Sequence, residues 1–500
     1  MMDGLRLNLC LILQISAFCY NDAAVRFANY YASHMVLQKA PAQAHIWGTG
    51  GAVGQSVTVV IDGKTVGTPM ANGAGVWEIL LPATPAGGPH NISVTSNGTT
   101  VTLSDVLFGD VWICSGQSNM GYQISQIRNY SSVVTSAMQR PNLRISELRQ
   151  NALNATVKEP LIGTPWQKPG HDNTTHSFSA VCLMFAIELS QHVTQPLGMV
   201  ETDWGGTPVE AWSSPTALAA CPQHKKKRAI DPHLPSVLYN GMIAPILPMT
   251  IFGAIWYQGE SNAGKPQLYA CQIEAMISDW RAKFHQASKN QTSNTFPFGF
   301  VQLAPNRNVT GAHTGFPDLR WAQTAEYGYV PNPTLKNVFM AVAMDLPDYA
   351  SPYGTIHPRT KEDVAVRLAL AARGVAYGQQ NIDFKGPFPT HFSQTGQKLT
   401  VEYDNGNTDI SVRTTAGFEV CCGLSESHVC PGNGWTAAPI SGHSATSVTL
   451  DTSGCQGHSH VVAGVRYAWE ESPCDFKKCA VYGLGTNLPA PPFVKQAPFS

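Results

Sequence analysis

The sequence predicts an α/β protein in which a parallel-sheet domain lies between two smaller β modules. Residues 24–106 consist of short polar and apolar alternations broken by turns, which are typical of a strand meander. Over residues 107–380, apolar runs alternate with helical stretches, as a parallel sheet with crossover helices requires. Short strands and turns return over residues 381–500. Since domains average about 150 residues, a chain of 500 residues agrees with this division.

The alternation in the first module is clearest in two runs. Residues 56–61 alternate polar and apolar side chains and end at Asp62-Gly63, and residues 76–81 end at a stretch rich in proline and glycine. A period of two places one face of a strand in a core, and Asp-Gly is a common turn between strands. We therefore expect residues 24–106 to form a β-sandwich-like module.

The central domain carries the strongest secondary-structure signals. Two segments have apolar residues at three- and four-residue steps, which predicts amphipathic helices over residues 273–284 and 361–377. Fully buried strands of a parallel sheet have continuous apolar runs. Five such runs predict the centre of the sheet: 111–114, 197–200, 251–256, 298–301 and 339–343.

The charge balance limits the function. Lys plus Arg number 32 and Asp plus Glu number 33, so the formal net charge is −1. A nucleic-acid binder or a polybasic membrane-surface protein would carry a basic excess. Charged residues make up 13% of the chain, against ~25% in typical soluble domains. Neutral polar groups or attached sugar must therefore cover much of the surface.

Three features predict the secretory pathway. Residues 1–20 have the length and the apolar run of a signal peptide, with a buried first helix as the alternative. Without that segment ten of the twelve cysteines remain, six of them in the last eighty residues. Disulfides, whose pairing cannot be deduced, are favoured there over a zinc site because no Cys-x-x-Cys pair occurs. Seven Asn-x-Ser/Thr sequons are candidate glycosylation sites: Asn91, Asn97, Asn129, Asn154, Asn173, Asn290 and Asn308.

Two other segments bear on processing and on membrane attachment. The basic run at residues 224–228, which contains Lys225, is either a solvated loop or a proprotein-processing site. No apolar segment after residue 20 reaches the ~20 residues needed to span a bilayer. We therefore expect no membrane span.

The strongest local feature is a strand that runs into a glycine-containing turn. Residues 110–120 read DVWICSGQSNM, so Ser118 follows the C-terminal end of an apolar strand. Open α/β sheets place their sites at this end, where a hydroxyl nucleophile is exposed beside backbone N–H groups. Helix capping by Ser118 is the alternative. The motif is not the Gly-x-Ser-x-Gly elbow, because Met120 stands in place of the second glycine.

Two further strand ends and one histidine favour a catalytic interpretation. Paired glycines in WGGTPVEAW at residues 204–212 follow a predicted strand, and they let a backbone N–H approach a ligand closely. A polar cluster, YQGESN at residues 257–262, follows the next strand. His357 lies in a loop after the last strand, and an imidazole of pKa about 6.5 can take a hydroxyl proton. A plain surface position is the alternative for this histidine.

In this order, the motifs resemble those of sialate O-acetylesterases, within the SGNH hydrolase superfamily. The co-occurrence of the blocks is far more specific than any one of them, and it extends through nearly the whole chain after residue 20. The matching blocks are RFA (26–28), MVLQ (35–38), GQSNM (116–120), WGGT (204–207), WYQGES (256–261), IHP (356–358) and LPAPPF (488–493).

The resemblance implies an SGNH-type, flavodoxin-like hydrolase domain that removes O-acetyl groups from sialic acids, typically at the 9-position, in lysosomes or outside the cell. It implies Ser118 as the nucleophile that forms an acetyl-enzyme and His357 as the general base. The implied oxyanion hole consists of the backbone N–H groups of Ser118 and Gly206 and the side-chain amide of Gln258. No metal and no cofactor are implied, and the expected partner is O-acetylated sialic acid, free or linked to a glycan.

The group that orients His357 is open in the sequence. SGNH enzymes often carry Asp three residues before the histidine, where this chain has Gly354. We favour Asp345 as the orienting acid. The alternatives are Asp348 and a backbone carbonyl near Thr355, which would leave a Ser-His dyad.

Two other functions remain open at this stage: an acetylesterase acting on other acetylated carbohydrates, and a catalytically inactive carbohydrate-binding glycoprotein. The motif blocks do not separate the first from a sialate esterase, because loops outside the blocks decide which sugar is bound. The presence of both Ser118 and His357 argues against the second.

Overall fold

The structure is a computed structural model. It describes four ranges of the chain, which are residues 24–221, 231–432, 434–455 and 461–500. The predicted signal peptide at 1–20 and the basic run at 224–228 lie outside the described residues. No helix within these ranges is long and apolar enough to cross a membrane.

The secondary structure of the described residues comprises strands, α-helices and short helical turns. The strands are β1 (Arg26–Phe27), β2 (Val36–Gln38), β3 (His45–Thr49), β4 (Thr58–Ile61), β5 (Lys64–Gly67), β6 (Val76–Leu80), β7 (Gly87–Ser96), β8 (Thr99–Gly116), β9 (Leu143–Leu148), β10 (Ile162–Gln167), β11 (Leu197–Asp203), β12 (Gly253–Tyr257), β13 (Phe298–Gln302), β14 (Val338–Val342), β15 (Pro389–Thr395), β16 (Lys398–Tyr403), β17 (Ile410–Val412), β18 (Phe418–Gly423), β19 (Trp435–Ala437), β20 (Ile440–His443), β21 (Ser447–Asp451), β22 (Val461–Tyr467), β23 (Val481–Gly483) and β24 (Phe493–Gln496). The α-helices are α1 (Tyr130–Met138), α2 (Thr174–Ser177), α3 (Ala180–Leu189), α4 (Val209–Trp212), α5 (Pro215–Ala220), α6 (Pro266–Ala287), α7 (Phe316–Ala322) and α8 (Lys361–Val375). Short helical turns lie at Ile124–Gln126, Tyr239–Ile243, Ala244–Ile246, Glu260–Asn262, Asp404–Gly406 and Ser453–Cys455.

The central sheet has the strand order β10-β9-β11-β8-β12-β13-β14 and is parallel except at the edge strand β10. After β8 the chain passes to β9, returns to β11 beside β8, and then crosses to β12 on the other side of β8. This reversal makes the carboxyl end of β8 a topological switch point, where a crevice opens above the sheet. Gly116, the last residue of β8, lies there.

β8 belongs to two sheets, and its sequence explains why. Its first half is mostly exposed and pairs antiparallel with β7, whereas residues 106–116 are all buried. Within that buried half, residues 107–109 pair with β2, residues 110–116 with β11 and residues 112–116 with β12. Trp112 is central to this core, with the rings of Phe185 and Phe252 at 5.2 and 5.3 Å. The predicted boundary between residues 106 and 107 falls inside this strand, and the division into 24–106, 107–380 and 381–500 stays a prediction.

The predicted α/β fold with a parallel sheet and flanking β modules is confirmed. The five apolar runs correspond to β8 and β11–β14, and the two amphipathic patterns correspond to α6 and α8. The sequence analysis missed β9 and β10, because β9 does not form a continuous apolar run. Its Arg144 is buried, with the guanidinium 3.2 Å from the carboxylate of Asp105.

The last module has its own core and three of the disulfides. Its sheets have the orders β15-β16-β21-β20, β17-β23 and β19-β18-β22-β24, and they enclose Tyr403, Tyr467 and Phe493. The predicted disulfides are confirmed, and they include two in the central domain that join β8 to α3 and α5 to α6. The five pairs are Cys114–Cys182, Cys221–Cys271, Cys421–Cys430, Cys422–Cys455 and Cys474–Cys479.

Candidate active site

A glycine turn at the end of β8 holds Ser118 above the sheet. Gly116 has a φ of +144°, and a Cβ at this position would collide with the carbonyl of Tyr257 at the end of β12. The N–H of Gln117 donates to that same carbonyl at 2.9 Å. The turn is thereby fixed against β12, and the half-buried Ser118 faces the crevice.

Ser118 and His357 lie within hydrogen-bond distance although 239 residues separate them. Ser118 Oγ is 2.8 Å from His357 Nε2. The other ring nitrogen, Nδ1, is 2.7 Å from the backbone carbonyl of Tyr353. A carbonyl can only accept, so Nδ1 carries the proton and Nε2 presents its lone pair to the serine hydroxyl. This is the arrangement that a general base requires.

The surroundings of His357 keep the imidazole neutral. Burial lowers the pKa of His357, and the nearby Lys361 lowers it further. The hydrogen bond to the Tyr353 carbonyl raises this pKa and so opposes both effects. The net direction is downward, so the ring stays in its basic form as the solution becomes mildly acidic. A neutral ring is the form that can accept the proton of Ser118.

The structure does not bring either candidate carboxylate to His357. Asp345 is fully buried beyond the end of β14, where Arg367 donates to it at 2.6 and 3.0 Å and Tyr482 at 3.0 Å. Asp348 instead accepts from Arg359 at 2.6 and 2.8 Å. Asp345 therefore stabilises the junction with the last module. The carbonyl alternative fits the geometry, with Tyr353 supplying the carbonyl.

Asp345→Asn tests this difference between structure and sequence. We expect kcat of the folded protein to stay near the wild-type value, because Asp345 does not contact the imidazole. Stability should fall by about 3 kcal/mol, since the substitution leaves Arg367 without its buried carboxylate. Thermal unfolding and acetate release measured on the same sample separate the two effects. A loss of kcat by orders of magnitude in a folded variant would contradict the assignment.

The loop after β11 supplies backbone N–H groups beside Ser118. Trp204 N–H donates to the carbonyl of Gly116 at 3.1 Å, and a Cβ on Gly205 would lie 3.3 Å from Ser118 Cβ. Gly206 follows with a φ of +73°. Within the described residues, the N–H groups of Ser118 and Gly206 have no acceptor in the protein. Both are therefore available to stabilise an oxyanion.

Gln258 is placed differently from the sequence-based expectation. Its side chain is fully buried, and Nε2 donates to the Thr207 carbonyl at 3.1 Å and to Asn262 Oδ1 at 2.7 Å. Its Oε1 accepts from the hydroxyl of Tyr269 at 2.9 Å. Both amide hydrogens are thus already used. The structure therefore places Gln258 as a brace between the glycine loop and the turn after β12, with no free donor for an oxyanion.

A buried network that the sequence analysis missed joins the nucleophile turn to the histidine loop. Lys361 is fully buried at the start of α8 and donates from Nζ to Asn119 Oδ1 at 2.5 Å. Asn119 Nδ2 donates to Glu260 Oε1 at 2.6 Å and to the carbonyl of Ile356 at 2.9 Å. The network therefore ties together the residues next to Ser118 and next to His357. Asn119 and Glu260 lay within the motif blocks, but nothing in a helix that opens with Lys-Glu-Asp signals a buried lysine.

The charge state of this network responds to pH. Burial lowers the pKa of Lys361 to about 7, although Glu260 acts in the opposite direction. Burial also raises the pKa of Glu260, whereas Asn119 and Lys361 lower it. The ammonium lies 4.6 Å from the ring centroid of Tyr122, which favours its charged form. A cation held here lowers the pKa of His357.

Lys361→Met should therefore shift the pH profile as well as lower the rate. Removing the cation raises the pKa of His357, so the acidic limb of the kcat/KM profile should move to higher pH. Loss of the Nζ donor also removes one hydrogen-bond partner of Asn119. We expect the resulting misalignment of Ser118 and His357 to lower kcat on the order of tenfold. The exposed Lys398→Met in β16 is the matched control. An unmoved acidic limb in a folded Lys361→Met protein would contradict the electrostatic effect.

Comparison with known proteins decides the family. The family described as carbohydrate esterase, sialic acid-specific acetylesterase, matches residues 108–372, and the sialate O-acetylesterase C-terminal domain matches residues 389–497. The human sialate O-acetylesterase is 39% identical, with 98% of this chain and 96% of the human protein covered. The chain belongs to the sialate O-acetylesterase family. It is a carboxylic ester hydrolase, and the activity of its family is the hydrolysis of O-acetyl esters of sialic acids.

Further relatives support the same assignment of this esterase. The rat sialate O-acetylesterase is also 39% identical, over 94% of both chains. The crystal structure of a carbohydrate acetylesterase from Xanthomonas citri superposes with a TM-score of 0.78 at 29% identity, and it covers 95% of this chain and 100% of its own. The parallel sheet and its flanking β modules therefore form an arrangement that this bacterial esterase shares.

A buried acid pair lies at the end of β11, just before the glycine loop of this esterase. Burial raises the pKa of Asp203 to about 7 and places that of Glu201 well above its usual range. Glu201 Oε2 also accepts the N–H of Ser179 at 2.8 Å, which ties α3 to β11. Two carboxyls this close retain a proton in the folded state that the unfolded chain has already lost.

Asp203→Asn should change how the stability of this esterase depends on pH. The carboxyls have a pKa of about 4 when unfolded and higher values when folded. Their contribution is therefore fully present below pH about 4 and lost as the pH rises through 7. We expect the Tm of the Asn variant, relative to wild type, to rise across that window. Parallel Tm curves for the two proteins would show that the pair is not protonated.

The seven sequon asparagines of this esterase are all exposed in the structure. Exposure is what glycosylation requires, since the sugar must project into solvent. The modification itself stays a prediction. Five disulfides are typical of the oxidising environment of the secretory pathway.

Proposed function

We propose that this chain removes the acetyl group from 9-O-acetylated sialic acid by way of an acetyl-enzyme on Ser118. The observation that carries the proposal is the 2.8 Å contact between Ser118 Oγ and His357 Nε2. It supplies a nucleophile and its base in one crevice, at the switch point of the sheet. The 9-position is a primary ester at the end of the glycerol side chain, so it can reach a nucleophile inside a crevice.

The first half of the proposed reaction transfers the acetyl group to the enzyme. Ser118 Oγ attacks the acetyl carbonyl carbon as its proton passes to His357 Nε2. The carbonyl oxygen becomes an oxyanion, which accepts from the N–H groups of Ser118 and Gly206. One such donor lowers the barrier by about 3 kcal/mol. The tetrahedral intermediate collapses, and the bond between the acetyl carbon and the C9 oxygen breaks. His357 returns the proton to the departing C9 oxygen.

The second half releases acetate by the same groups. A water molecule gives its proton to His357 Nε2 and attacks the acetyl-enzyme carbonyl. The same N–H groups stabilise the second oxyanion. The bond to Ser118 Oγ then breaks, and the proton on His357 returns to the serine oxygen. Acetate leaves and the resting hydrogen bond re-forms.

The proposed catalytic unit is a dyad oriented by a backbone carbonyl. The Tyr353 carbonyl accepts from Nδ1 of His357 and so fixes the tautomer in which Nδ1 carries the proton. The carboxylate of a triad has the same effect. A carbonyl dipole stabilises the imidazolium less than a carboxylate would, so the pKa of His357 stays low. A base that remains neutral under mildly acidic conditions suits a lysosomal enzyme. We propose lysosomal or secreted localisation on this ground, together with the five disulfides and the exposed sequons.

Acetate release from defined substrates tests the proposed function. The purified protein is incubated with 9-O-acetyl and 4-O-acetyl sialic acid, with acetyl-xylose and with 4-nitrophenyl acetate. We expect the highest kcat/KM on the 9-O-acetyl ester. A preference for acetyl-xylose would favour an esterase that acts on other acetylated sugars. Binding of sialic acid without acetate release from any ester would leave only a carbohydrate-binding protein.

A further inference from the structure

An open cavity of about 340 Å³ adjoins the catalytic crevice, and no role has so far been given to it. Its walls come from the loop after β11, from the turn after β12 and from residues 233–235. It is lined by Pro208, Glu210, His233, Pro235, Ser261, Asn262, Gly264 and Lys265. The first two walls are anchored to the nucleophile turn, so the cavity is held in a fixed place beside Ser118.

Two chains of contacts place this cavity next to the nucleophile. On one side, a Cβ on Gly205 would lie 3.3 Å from Ser118 Cβ, and a Cβ on Gly206 would lie 3.7 Å from His233 Nε2. On the other side, the N–H of Ser261 lies 3.4 Å from the side-chain oxygen of Gln117. The cavity therefore lies within one or two residues of Ser118 on both sides.

The polar groups of the cavity are arranged by depth. Glu210 is largely buried at the base, where one carboxylate oxygen accepts from Asn262 Nδ2 at 2.8 Å. Lys265 is exposed at the rim, and within the described residues no acidic side chain pairs with its ammonium. His233, also at the rim, is bound through Nδ1 to Asp231 at 2.5 Å. The base thus offers an acceptor, and the rim offers a cation that no described acidic side chain pairs with.

We infer that this cavity is the sugar-binding subsite and that Lys265 binds the substrate carboxylate. The inference rests on the proposed function. In a sialic acid acetylated at C9, the glycerol hydroxyls lie next to the ester and the C1 carboxylate lies farther away. Hydroxyls near the ester donate to Glu210, and the carboxylate reaches the rim, where Lys265 pairs with it. Asp231 and Glu210 are the acidic groups of this region. A C1 carboxylate paired with Lys265 would avoid repulsion from both of these side chains.

The test compares two substrates that differ in the charge at C1 and by one methyl group. They are 9-O-acetyl-N-acetylneuraminic acid and its C1 methyl ester. We expect wild type to prefer the acid in kcat/KM, and we expect Lys265→Met to lower that preference about tenfold. Lys265→Glu should reverse the preference. Lys398→Met, an exposed lysine in β16, is the matched control and should keep the wild-type ratio.

The outcomes separate this inference from the proposed function. An unchanged acid-to-ester ratio in Lys265→Met, with both substrates hydrolysed, overturns the role of Lys265 and leaves the esterase activity standing. Failure of wild type to hydrolyse either sialic acid derivative while it hydrolyses 4-nitrophenyl acetate overturns both the proposed substrate and the subsite. Lys265 is exposed, and its side chain has no partner among the described residues, so its variants should fold, which unchanged Tm values verify.

Discussion

Ser118→Ala should lower kcat on 9-O-acetyl sialic acid on the order of 10⁶-fold. The substitution removes the only atom that forms the acetyl-enzyme in the proposed mechanism, while the oxyanion N–H groups stay in place. Residual turnover would reflect binding and the N–H groups alone. The measurement is acetate release at saturating substrate. The expected KM is close to that of wild type, because Ser118 contributes reactivity more than binding.

A matched serine controls for the change in the turn region. Ser125→Ala alters an exposed serine in the helical turn Ile124–Gln126 and should leave kcat unchanged. Circular dichroism and Tm should be the same for wild type and both variants. Turnover within tenfold of wild type in a folded Ser118→Ala protein would exclude Ser118 as the nucleophile.

His357→Gln should be nearly as damaging as the loss of the serine. Glutamine can still accept from the serine hydroxyl but cannot take its proton at any useful pH, so the nucleophile is no longer activated. We expect kcat to fall by about 10⁴-fold or more. The acidic limb of the pH profile should also disappear, since it reports the titration of His357.

The double variant gives a sharper test than either single one. Because Ser118 and His357 act as one unit, the pair of substitutions should cost no more than Ser118→Ala alone. Multiplicative losses in the double variant would mean that the two side chains act independently. That result would contradict the shared hydrogen bond at 2.8 Å.

The proximity of Ser118 and His357 could be predicted from the sequence because the backbone topology decides where both residues lie. Ser118 follows a continuous apolar run, and His357 follows the last strand of the same sheet. The carboxyl ends of parallel strands meet at one edge, so residues after two such strands meet whatever their separation along the chain. The paired glycines after β11 were predictable for the same reason.

The roles of Asp345 and Gln258 could not be predicted, since each depends on the direction of a side chain. Asp345 follows β14 as predicted, but its carboxylate turns away from the crevice towards Arg367 and Tyr482. Gln258 likewise follows β12, but its amide turns inward to Thr207. Sequence pattern places a residue at a strand end and does not say which neighbour its side chain will contact.

Burial of polar groups was the other feature beyond the reach of the sequence. Lys361 opens a helix beside two acidic residues, a pattern typical of a solvated helix start, yet it is fully buried against Asn119. Arg144 is similarly buried within β9, where it interrupts the apolar run by which a buried strand is recognised in a sequence. In both cases polar groups distant in the chain bind the buried side chain, and these contacts exist only in the folded molecule.

Trapping of the covalent intermediate tests the central claim most directly. Wild-type protein is quenched in acid during turnover of 4-nitrophenyl acetate, digested and analysed by mass spectrometry. One acetyl group should be found on Ser118, with none on the same peptide of Ser118→Ala and much less in His357→Gln, whose serine is no longer activated. An acetyl group on another residue during full turnover, or full turnover by Ser118→Ala, would contradict the mechanism.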